Sequence, residues 1–327
     1  MRLKLSDCKF KGNYKDCVLP SQFNYRFTEL AHIHQTTKRR APRKALLVGL
    51  AIVLLGLAVG GWLLYRHDEL QYRQVLVLGH AGSGFLSPLN PFNPLPPNSK
   101  GSLVQAMELG ADGLEVDVQL SKDGVPVLYH DVTLASMTVR QEPDTIENLN
   151  ATEVVGLAYK GGAPYDLFHE EKIITLEELL QLLGSYEEAP YLHIDLRNHD
   201  PQRYAYYAQT LLALLRKYNY PLQRLVFISP DPSFLLAFRQ EEPAAQLMLD
   251  AGGDFEQAQA QALKYNLNGI CANGRDASAA LVAQAKQQGL QVALFGGKSR
   301  SRIARMINMR PDAIQVNNVA AMRAMLD

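Results

Sequence analysis

The sequence predicts an α/β fold, a (β/α)8 TIM barrel preceded by a single transmembrane helix. From about residue 75 onward, short apolar runs alternate with amphipathic segments. Strands that alternate with helices form a parallel sheet. This part of the chain also has the length of eight such units closed in a ring, about 250 residues. A doubly wound open sheet is the alternative, but no G-x-G-x-x-G follows the first strand to favour it.

The transmembrane helix is predicted over residues 45–65. The segment ALLVGLAIVLLGLAVGGWLLY has no ionisable side chain except its final Tyr65. At 1.5 Å per residue, a helix of this length spans a hydrocarbon core of roughly 30 Å. A cleaved signal peptide would have a shorter apolar region that lies nearer the N-terminus. We therefore expect one membrane crossing.

The charges that flank this segment predict its orientation. Five basic residues lie between positions 38 and 44, whereas acidic residues follow at 68 and 69. The positive-inside rule then places a basic tail, residues 1–44, in the cytoplasm. The barrel, residues 75–327, follows a linker at 66–74 and lies on the extracytoplasmic side, periplasmic or outer. The tail is interpreted as a solvated topology determinant, or alternatively as a segment lying on an anionic leaflet.

Nine segments read as strands, which is one more than a barrel needs. The candidate strands are 75–78, 113–118, 125–129, 191–196, 224–228, 246–249, 268–272, 291–295 and 312–316. The candidate helices are 100–109, 176–183, 201–217, 232–240, 254–265, 277–288 and 300–307. Thr175 and Glu178 form a capping box at the start of the second helix.

The overall composition excludes some partners. Lys+Arg and Asp+Glu number 33 each, so no basic excess points to nucleic acid. Cys8, Cys17 and Cys271 lack the spacing of a zinc site. We interpret Cys8 and Cys17 as free thiols, and the large domain, with Cys271 alone, has no internal disulfide.

Polar residues follow the apolar runs of four candidate strands. His80 follows the first strand, Asp117 lies near the end of the second, His130 follows the third and Asp195 lies late in the fourth. The active sites of TIM barrels lie at the C-terminal ends of the strands. These side chains are therefore predicted to meet at one mouth, where two imidazoles can serve as acid and base.

The carboxylates in this set need a compensating charge. Glu115 shares a strand face with Asp117, and each unpaired buried carboxylate costs several kcal/mol. With Asp195 they offer hard oxygen ligands, which predicts a divalent cation, Mg²⁺ or Ca²⁺. The alternative is a network in which Arg197 or Lys122 neutralises them.

Four motifs resemble the glycerophosphodiester phosphodiesterase family, in the PLC-like phosphodiesterase superfamily. They are GHAG at 79–82, NS at 98–99, GADGLEVDVQLSKDGVPVLYHD at 110–131 and IITLEELL at 173–180. The family pattern reads H-R-G, E-N-T, G-A-D-x-x-E-x-D, T-K-D-G, V-x-x-H-D and P-T-L-E-E. The resemblance implies a TIM-barrel hydrolase with a small insertion at about 131–172.

The resemblance also implies roles for the polar residues. His80 and His130 would be the acid/base pair, with His80 as the base of the first step. Glu115, Asp117 and Asp195 would bind the metal. The implied reaction is cleavage of glycerophosphodiesters to sn-glycerol 3-phosphate and an alcohol, through a cyclic phosphate that water opens.

The sequence departs from the family pattern at positions expected to bind substrate. Ala81 replaces the arginine of H-R-G, Pro97 replaces the glutamate of E-N-T, and E-x-K is Asp195-Leu196-Arg197. Arg197, Lys298 and Asn98 are the remaining candidates for substrate contacts, so an altered substrate preference is expected.

Two other functions stay open. One is cleavage of a lipid phosphodiester such as a lysolipid, in the manner of a lysophospholipase D or a phospholipase C. The other is a catalytically silent barrel that binds a phosphorylated ligand. The Pro-rich loop 83–99 is expected to pack on the barrel, or alternatively to form a lid or an acyl-binding rim.

Overall fold

The structure is a computed structural model that describes residues 43–71, 75–85, 93, 95–160 and 170–327. The predictions for the basic tail before residue 43, for residues 72–74 of the linker, for most of the Pro-rich loop and for residues 161–169 of the insertion lie outside the described residues. The chain divides into two compact units, Met1–Val59 and Gly60–Asp327.

One helix covers the segment predicted to cross a membrane. Helix α1 (Arg43–Gln71) begins two residues before that segment and continues beyond it. Its side chains are described from Leu47 to Leu63. The large apolar ones are exposed, with 62% of Leu47 and 60% of Trp62 accessible. Within the described residues, no helix has both the length and the apolar character that a membrane span needs.

The predicted barrel is confirmed. The described part of the second unit contains nine strands: β1 (Leu76–His80), β2 (Gly113–Leu120), β3 (Pro126–Leu128), β4 (Tyr191–Leu196), β5 (Leu225–Ser229), β6 (Leu247–Asp250), β7 (Gly269–Asn273), β8 (Gln291–Gly296) and β9 (Ala313–Val316). Eight of them are parallel and follow one another around a ring, which closes because β1 pairs with both β2 and β9.

Helices follow the strands and cover the barrel. They are α2 (Lys100–Glu108), α3 (Ala151–Val154), α4 (Leu176–Leu183), α5 (Tyr204–Lys217), α6 (Pro232–Glu241), α7 (Phe255–Lys264), α8 (Ala279–Gln287), α9 (Arg300–Asn308) and α10 (Val319–Leu326). Helix α5 buries Tyr207, Leu211 and Leu215, which are four residues apart and lie on one helix face. The capping box of α4 is present, with Thr175 Oγ1 accepting from the Glu178 amide at 3.1 Å.

The extra strand is the third in sequence, and its expected place in the barrel is wrong. Strand β3 pairs antiparallel with β2, so it lies outside the ring of eight. The turn at Asp123-Gly124 reverses the chain, since Gly124 has a φ of 85°. Only residues 121–125 connect β2 to β3. A parallel pair needs a crossover of about a dozen residues or more, so β3 can pair with β2 only in the antiparallel direction and cannot be the next strand of the ring.

Apolar side chains fill the lower part of the barrel interior. Leu78, Val226, Ile228, Met248 and Cys271 belong to one buried cluster. His193 lies one step below Asp195 on the same strand face, and its Nδ1 is 3.1 Å from Gln315 Nε2. His193 is therefore a buried, hydrogen-bonded residue of the barrel core. The charged residues therefore lie in a layer above a closed apolar floor.

The described part of the insertion carries its own small core. Leu134, Ile146 and Val154 pack with Val127 and Tyr129 from the end of the β2–β3 hairpin. Glu147 Oε1 accepts from the amide of His199, in the loop that follows β4, at 3.1 Å. The insertion thus packs against the end of the hairpin that leads to His130 and bonds to the loop that follows β4.

Candidate active site

Neighbouring strands place four of the predicted residues at one end of the barrel. Strand register sets His80 beside Glu115 and Asp117 beside Asp195. His80, Asp117 and Asp195 lie in the second half of their strands, so their side chains meet at the C-terminal mouth. Glu115 lies two residues before Asp117 and on the same strand face. His130 arrives by a different route, because the hairpin runs out from the barrel and returns. The Tyr129 amide donates to the Asp117 carbonyl at 3.0 Å.

Three carboxylates form the centre of the site. Glu115, Asp117 and Asp195 each offer an oxygen within 4.8 Å of the others, and each residue is at most 8% exposed. Burial and the neighbouring charges of Asp117 and Asp195 raise the pKa of Glu115 well above its usual value. Burial likewise raises the pKa of Asp195 to about 7. The cluster therefore favours an added positive charge.

Arg197 supplies part of that charge. Its Nη2 atom lies 2.7 Å from Asp195 Oδ2 and 2.9 Å from Asp117 Oδ1. Burial opposes the charge of Arg197, but the carboxylates outweigh burial and raise its pKa. Lys122, the other predicted partner, is exposed and has no ion pair among the described residues. Arg197, a predicted substrate contact, thus also forms ion pairs with two of the carboxylates. The sequence left this pairing open as an alternative.

One guanidinium does not satisfy three carboxylates. Asp195 Oδ1 is buried and has no hydrogen-bond partner among the described residues, which is rare for a buried polar atom. Asp117 Oδ1 is close to Arg197 Nη2, but the two atoms are not aligned as a hydrogen bond and this oxygen has no other partner there. Oxygen atoms from three carboxylates are a donor set suited to Mg²⁺ or Ca²⁺. The cluster and its unsatisfied oxygens therefore fit a divalent cation, with Arg197 as an additional neutralising group.

His80 is held as a neutral imidazole. Its Nδ1 atom lies 2.5 Å from Asn317 Oδ1, and burial lowers its pKa to about 4. With the amide oxygen as acceptor, the proton resides on Nδ1 and Nε2 keeps its lone pair. Nε2 lies 3.8 Å from Glu115 Oε2, at the edge of the acidic cluster. This is the state that a general base requires.

The pKa of His130 is shifted in the opposite direction. Its Nδ1 atom lies 2.6 Å from Asp131 Oδ1. Burial opposes the imidazolium, but the bond to Asp131 and the charge of Asp117 outweigh it and raise the pKa. Nε2 of a protonated His130 is then available as a proton donor. The two histidines differ in the way that an acid/base pair requires.

Two residues of the site were missed by the sequence analysis. Phe85 contacts both histidines edge-on, with its ring centroid 5.1 Å from each imidazole. Asn317 holds the His80 ring from a position 237 residues away. Phe85 belongs to the Pro-rich loop 83–99, and Asn317 belongs to the stretch VNNV at 316–319. Neither pattern identifies a contact over such a separation.

Asn98 occupies a different place from the predicted substrate contact. It is fully buried, donates to Asp117 Oδ2 at 2.8 Å and accepts from the Asp117 amide at 3.1 Å. Asn98 therefore fixes the orientation of the Asp117 carboxylate by bonding to both its side chain and its backbone. Ala81 also contacts the cluster, since its amide donates to Glu115 Oε2 at 2.8 Å.

The turn that carries Ala81 depends on a glycine. A Cβ on Gly79 would lie 2.4 Å from the Gly82 carbonyl oxygen and 2.7 Å from the Ala106 Cβ. A larger residue at position 79 would therefore displace the turn and the amide that Glu115 accepts. The remaining predicted substrate contact, Lys298, lines a cavity of about 310 Å³ that His80 and Phe85 also line.

Comparison with protein families gives one match over most of the chain. The sequence model of the Glycerophosphoryl diester phosphodiesterase family matches residues 90–321. A glycerophosphodiester phosphodiesterase of Caldanaerobacter subterraneus is 34% identical over 111 residues, which are 34% of this chain and 41% of that protein. A glycerophosphocholine phosphodiesterase of Schizosaccharomyces pombe is 25% identical over 328 residues, covering 77% of this chain and 28% of that protein. The chain thus spans less than half the length of either relative.

Solved structures share the fold. A glycerophosphodiester phosphodiesterase from Parabacteroides distasonis superposes with a TM-score of 0.64 at 22% identity, covering 78% of this chain and 97% of that one. An Oleispira antarctica phosphodiesterase in complex with the product sn-glycerol-3-phosphate gives a TM-score of 0.66 at 21% identity, covering 77% and 96%. These similarities establish the barrel fold.

Proposed function

The chain belongs to the glycerophosphoryl diester phosphodiesterase family, and we propose that it hydrolyses glycerophosphodiesters to sn-glycerol 3-phosphate and an alcohol. One observation carries the proposal. A histidine with a lowered pKa and a histidine with a raised pKa lie at the mouth of the barrel, on either side of Phe85 and near three buried carboxylates. A barrel without catalytic activity would not need two histidines whose pKa values are shifted in opposite directions.

The histidines have complementary tasks in the proposed reaction. His80 Nε2 takes the proton of the glycerol 2-hydroxyl as that oxygen attacks phosphorus. The bond from phosphorus to the leaving oxygen breaks, and His130 Nε2 gives its proton to that oxygen. The products of this step are a cyclic phosphate and the free alcohol. Water then opens the ring, with the histidines in exchanged roles, and sn-glycerol 3-phosphate is released.

The surrounding residues hold these groups in place. Asn317 fixes the His80 ring and the position of its proton, and Asp131 does the same for His130. Asn98 orients Asp117. Arg197 is partly exposed at the mouth and presents positive charge toward the phosphate. Such preorganisation contributes to catalysis because the groups need not rearrange during the reaction.

Glu115, Asp117 and Asp195 would hold a divalent cation, Mg²⁺ or Ca²⁺. When bound, such an ion polarises phosphoryl oxygens and stabilises the negative charge that develops on them. The unsatisfied carboxylate oxygens of Asp117 and Asp195 support this assignment.

The proposed activity has a direct test. Full-length protein in detergent is expected to release sn-glycerol 3-phosphate from glycerophosphocholine or glycerophosphoethanolamine with Mg²⁺ or Ca²⁺, and to lose this activity with a chelator. Lysophosphatidylcholine, assayed in parallel, tests the lipid alternative. Folded protein that releases no product from any of these diesters with either metal would contradict the proposal.

We also propose that the segment 45–65 of α1, which extends beyond the side chains described at 47–63, anchors the protein in a membrane, with the N-terminus in the cytoplasm and the barrel outside it. The uncharged segment 45–65 and the exposed apolar side chains of α1 support this. The double substitution Leu54→Lys/Leu57→Lys is expected to release the protein from membranes into an alkaline carbonate wash, because each central lysine costs about 3 kcal/mol on insertion.

A matched control introduces the same charges on the barrel. Leu109 and Leu263 are exposed outside α1, at 40% and 43%, so Leu109→Lys/Leu263→Lys should stay in the membrane pellet. Protease added to spheroplasts, whose outer envelope has been opened and whose cytoplasmic membrane is intact, should digest the barrel. Wild-type protein that washes off the membrane with carbonate would contradict the anchor.

A further inference from the structure

A positively charged cavity adjoins the candidate active site on the side of His80. Its volume is about 310 Å³, and His80 and Asn317 form part of its wall. Four cationic side chains line the remainder, Arg275, Lys298, Arg302 and Arg305. None of the described residues that line the cavity is Asp or Glu. This volume lies within the range of small-molecule sites.

The charges of these four residues are not neutralised within the described part of the chain. None of them forms an ion pair there. Arg305 donates to the carbonyls of Arg275 and Ala277, at 3.4 and 3.3 Å. Arg275 Nε donates to the Asn273 side-chain oxygen at 3.3 Å. Because these acceptors are uncharged, the cavity keeps a strong positive potential.

Other surface cations of the barrel contrast with this group. Each of the following lies within 3.0 Å of a carboxylate oxygen: Arg216 with Glu242, Lys217 with Glu177, Arg224 with Glu188 and Lys286 with Asp312. Ion pairs are thus common among the surface cations of the barrel, whereas the four cations of the cavity form none with the described residues. Like charges around one concave space repel one another, and an anion bound among them relieves the repulsion.

The position in the fold also favours an anion. The cavity lies where β7 and β8 end and α9 begins, and β8 is the seventh strand of the ring. Loops after the seventh and eighth strands of TIM barrels frequently bind phosphate. Gly296 and Gly297 line the cavity beside Lys298, so the backbone there leaves room for a ligand.

We propose that this cavity binds a second phosphate group of the substrate, so that the preferred substrates are glycerophosphodiesters carrying a further phosphate. The inference rests on the proposed function, because a substrate cleaved beside His80 extends into the cavity that His80 lines. One phosphate is then the scissile group at the acidic cluster, and the other is held by Arg275, Lys298 and Arg302.

A pair of substrates that differ by one phosphate tests the proposal. Wild-type protein is expected to cleave the phosphate monoester of glycerophosphoglycerol with a kcat/KM at least about tenfold above that for glycerophosphoglycerol, which corresponds to about 1.4 kcal/mol. Arg275→Gln/Arg302→Gln should abolish this preference and leave kcat/KM for glycerophosphoglycerol unchanged. The preference should also weaken with salt, since the arginines are exposed.

The control variant removes two charges elsewhere. Arg300 and Arg310 are exposed and do not line the cavity, so Arg300→Gln/Arg310→Gln should keep the preference. A binding measurement provides a readout independent of turnover. Glycerol 1,3-bisphosphate should bind wild-type protein more tightly than glycerol 3-phosphate, and the difference should vanish in Arg275→Gln/Arg302→Gln.

Several outcomes would overturn the inference, and they are distinct from failure of the proposed function. Equal kcat/KM values for the two substrates would leave a phosphodiesterase without a second phosphate site. Absence of any turnover would overturn the proposed function. The binding comparison would then show by itself whether the cavity holds a second phosphate group. Inorganic phosphate that binds through Arg275 and Arg302 while both preferences are absent would assign the cavity to a free anion instead.

Discussion

Replacement of His80 by alanine is expected to lower kcat for glycerophosphocholine by about 10² to 10⁴, the usual contribution of a general acid or base. His80 is the histidine held neutral, by burial and by the bond to Asn317. Without it, the site loses the neutral imidazole that takes the proton of the attacking hydroxyl in the proposed reaction. The measurement is kcat in saturating metal, with bound metal determined separately to show that the acidic cluster is intact.

His130→Ala provides the matched comparison, because an acid and a base respond differently to the leaving group. A 4-nitrophenyl diester of glycerol phosphate has a leaving group that needs no proton. His130→Ala is therefore expected to lose activity on glycerophosphocholine and to recover most of it on the nitrophenyl diester. His80→Ala should be impaired on both substrates.

The opposite pattern would reverse the assignment of the two histidines. Activity of His80→Ala within a few-fold of wild type on both substrates would exclude acid/base chemistry at this residue. It would then favour binding or positioning as the role of the imidazole.

Replacement of Glu115 by glutamine is expected to abolish metal-dependent activity without unfolding the protein. Loss of a ligand should weaken metal binding by at least the roughly 10- to 100-fold that outer-shell changes cause. Activity at low metal should fall accordingly. Glutamine keeps the oxygen that accepts from the Ala81 amide, so the turn after β1 should survive.

The same variant is expected to be more stable than wild type when metal is absent. Burial raises the pKa of Glu115, so the folded state binds its proton more tightly than the unfolded state does. Stability is therefore lost as the pH rises through the unfolded pKa toward the folded pKa. Glutamine removes that loss, and thermal unfolding in chelator should show a larger gain at pH 8 than at pH 5.

Glu187→Gln is the control, because Glu187 is exposed on the barrel surface and its removal should change neither metal affinity nor unfolding. A Glu115→Gln protein with wild-type metal affinity would exclude this carboxylate as a ligand. A lower unfolding temperature than wild type at pH 8 would show that the metal-free cluster stabilises the fold. Arg197 would then be a sufficient partner for the three carboxylates.

The sequence predicted much of the fold because hydrophobic periodicity reports local structure directly. Eight of the nine apolar runs became barrel strands, and the ring set their ends at one mouth. His80, Asp117 and Asp195 could thus be assigned to one site from their positions near strand ends, and Glu115 because it shares a strand face with Asp117. The motif resemblance reached the same residues, and the family match is consistent with it.

The sequence by itself determined the order of strands and helices and which strand ends carry acids and imidazoles, because both follow from residues adjacent in the chain. Only the tertiary structure decided that β3 lies outside the ring of eight strands, that Asn317 reaches His80, and that Arg275, Lys298 and Arg302 surround one cavity. It also decided which histidine is neutral. Burial and the identity of a hydrogen-bond partner set the protonation of an imidazole, and both depend on residues that are distant in sequence and meet only when the barrel closes.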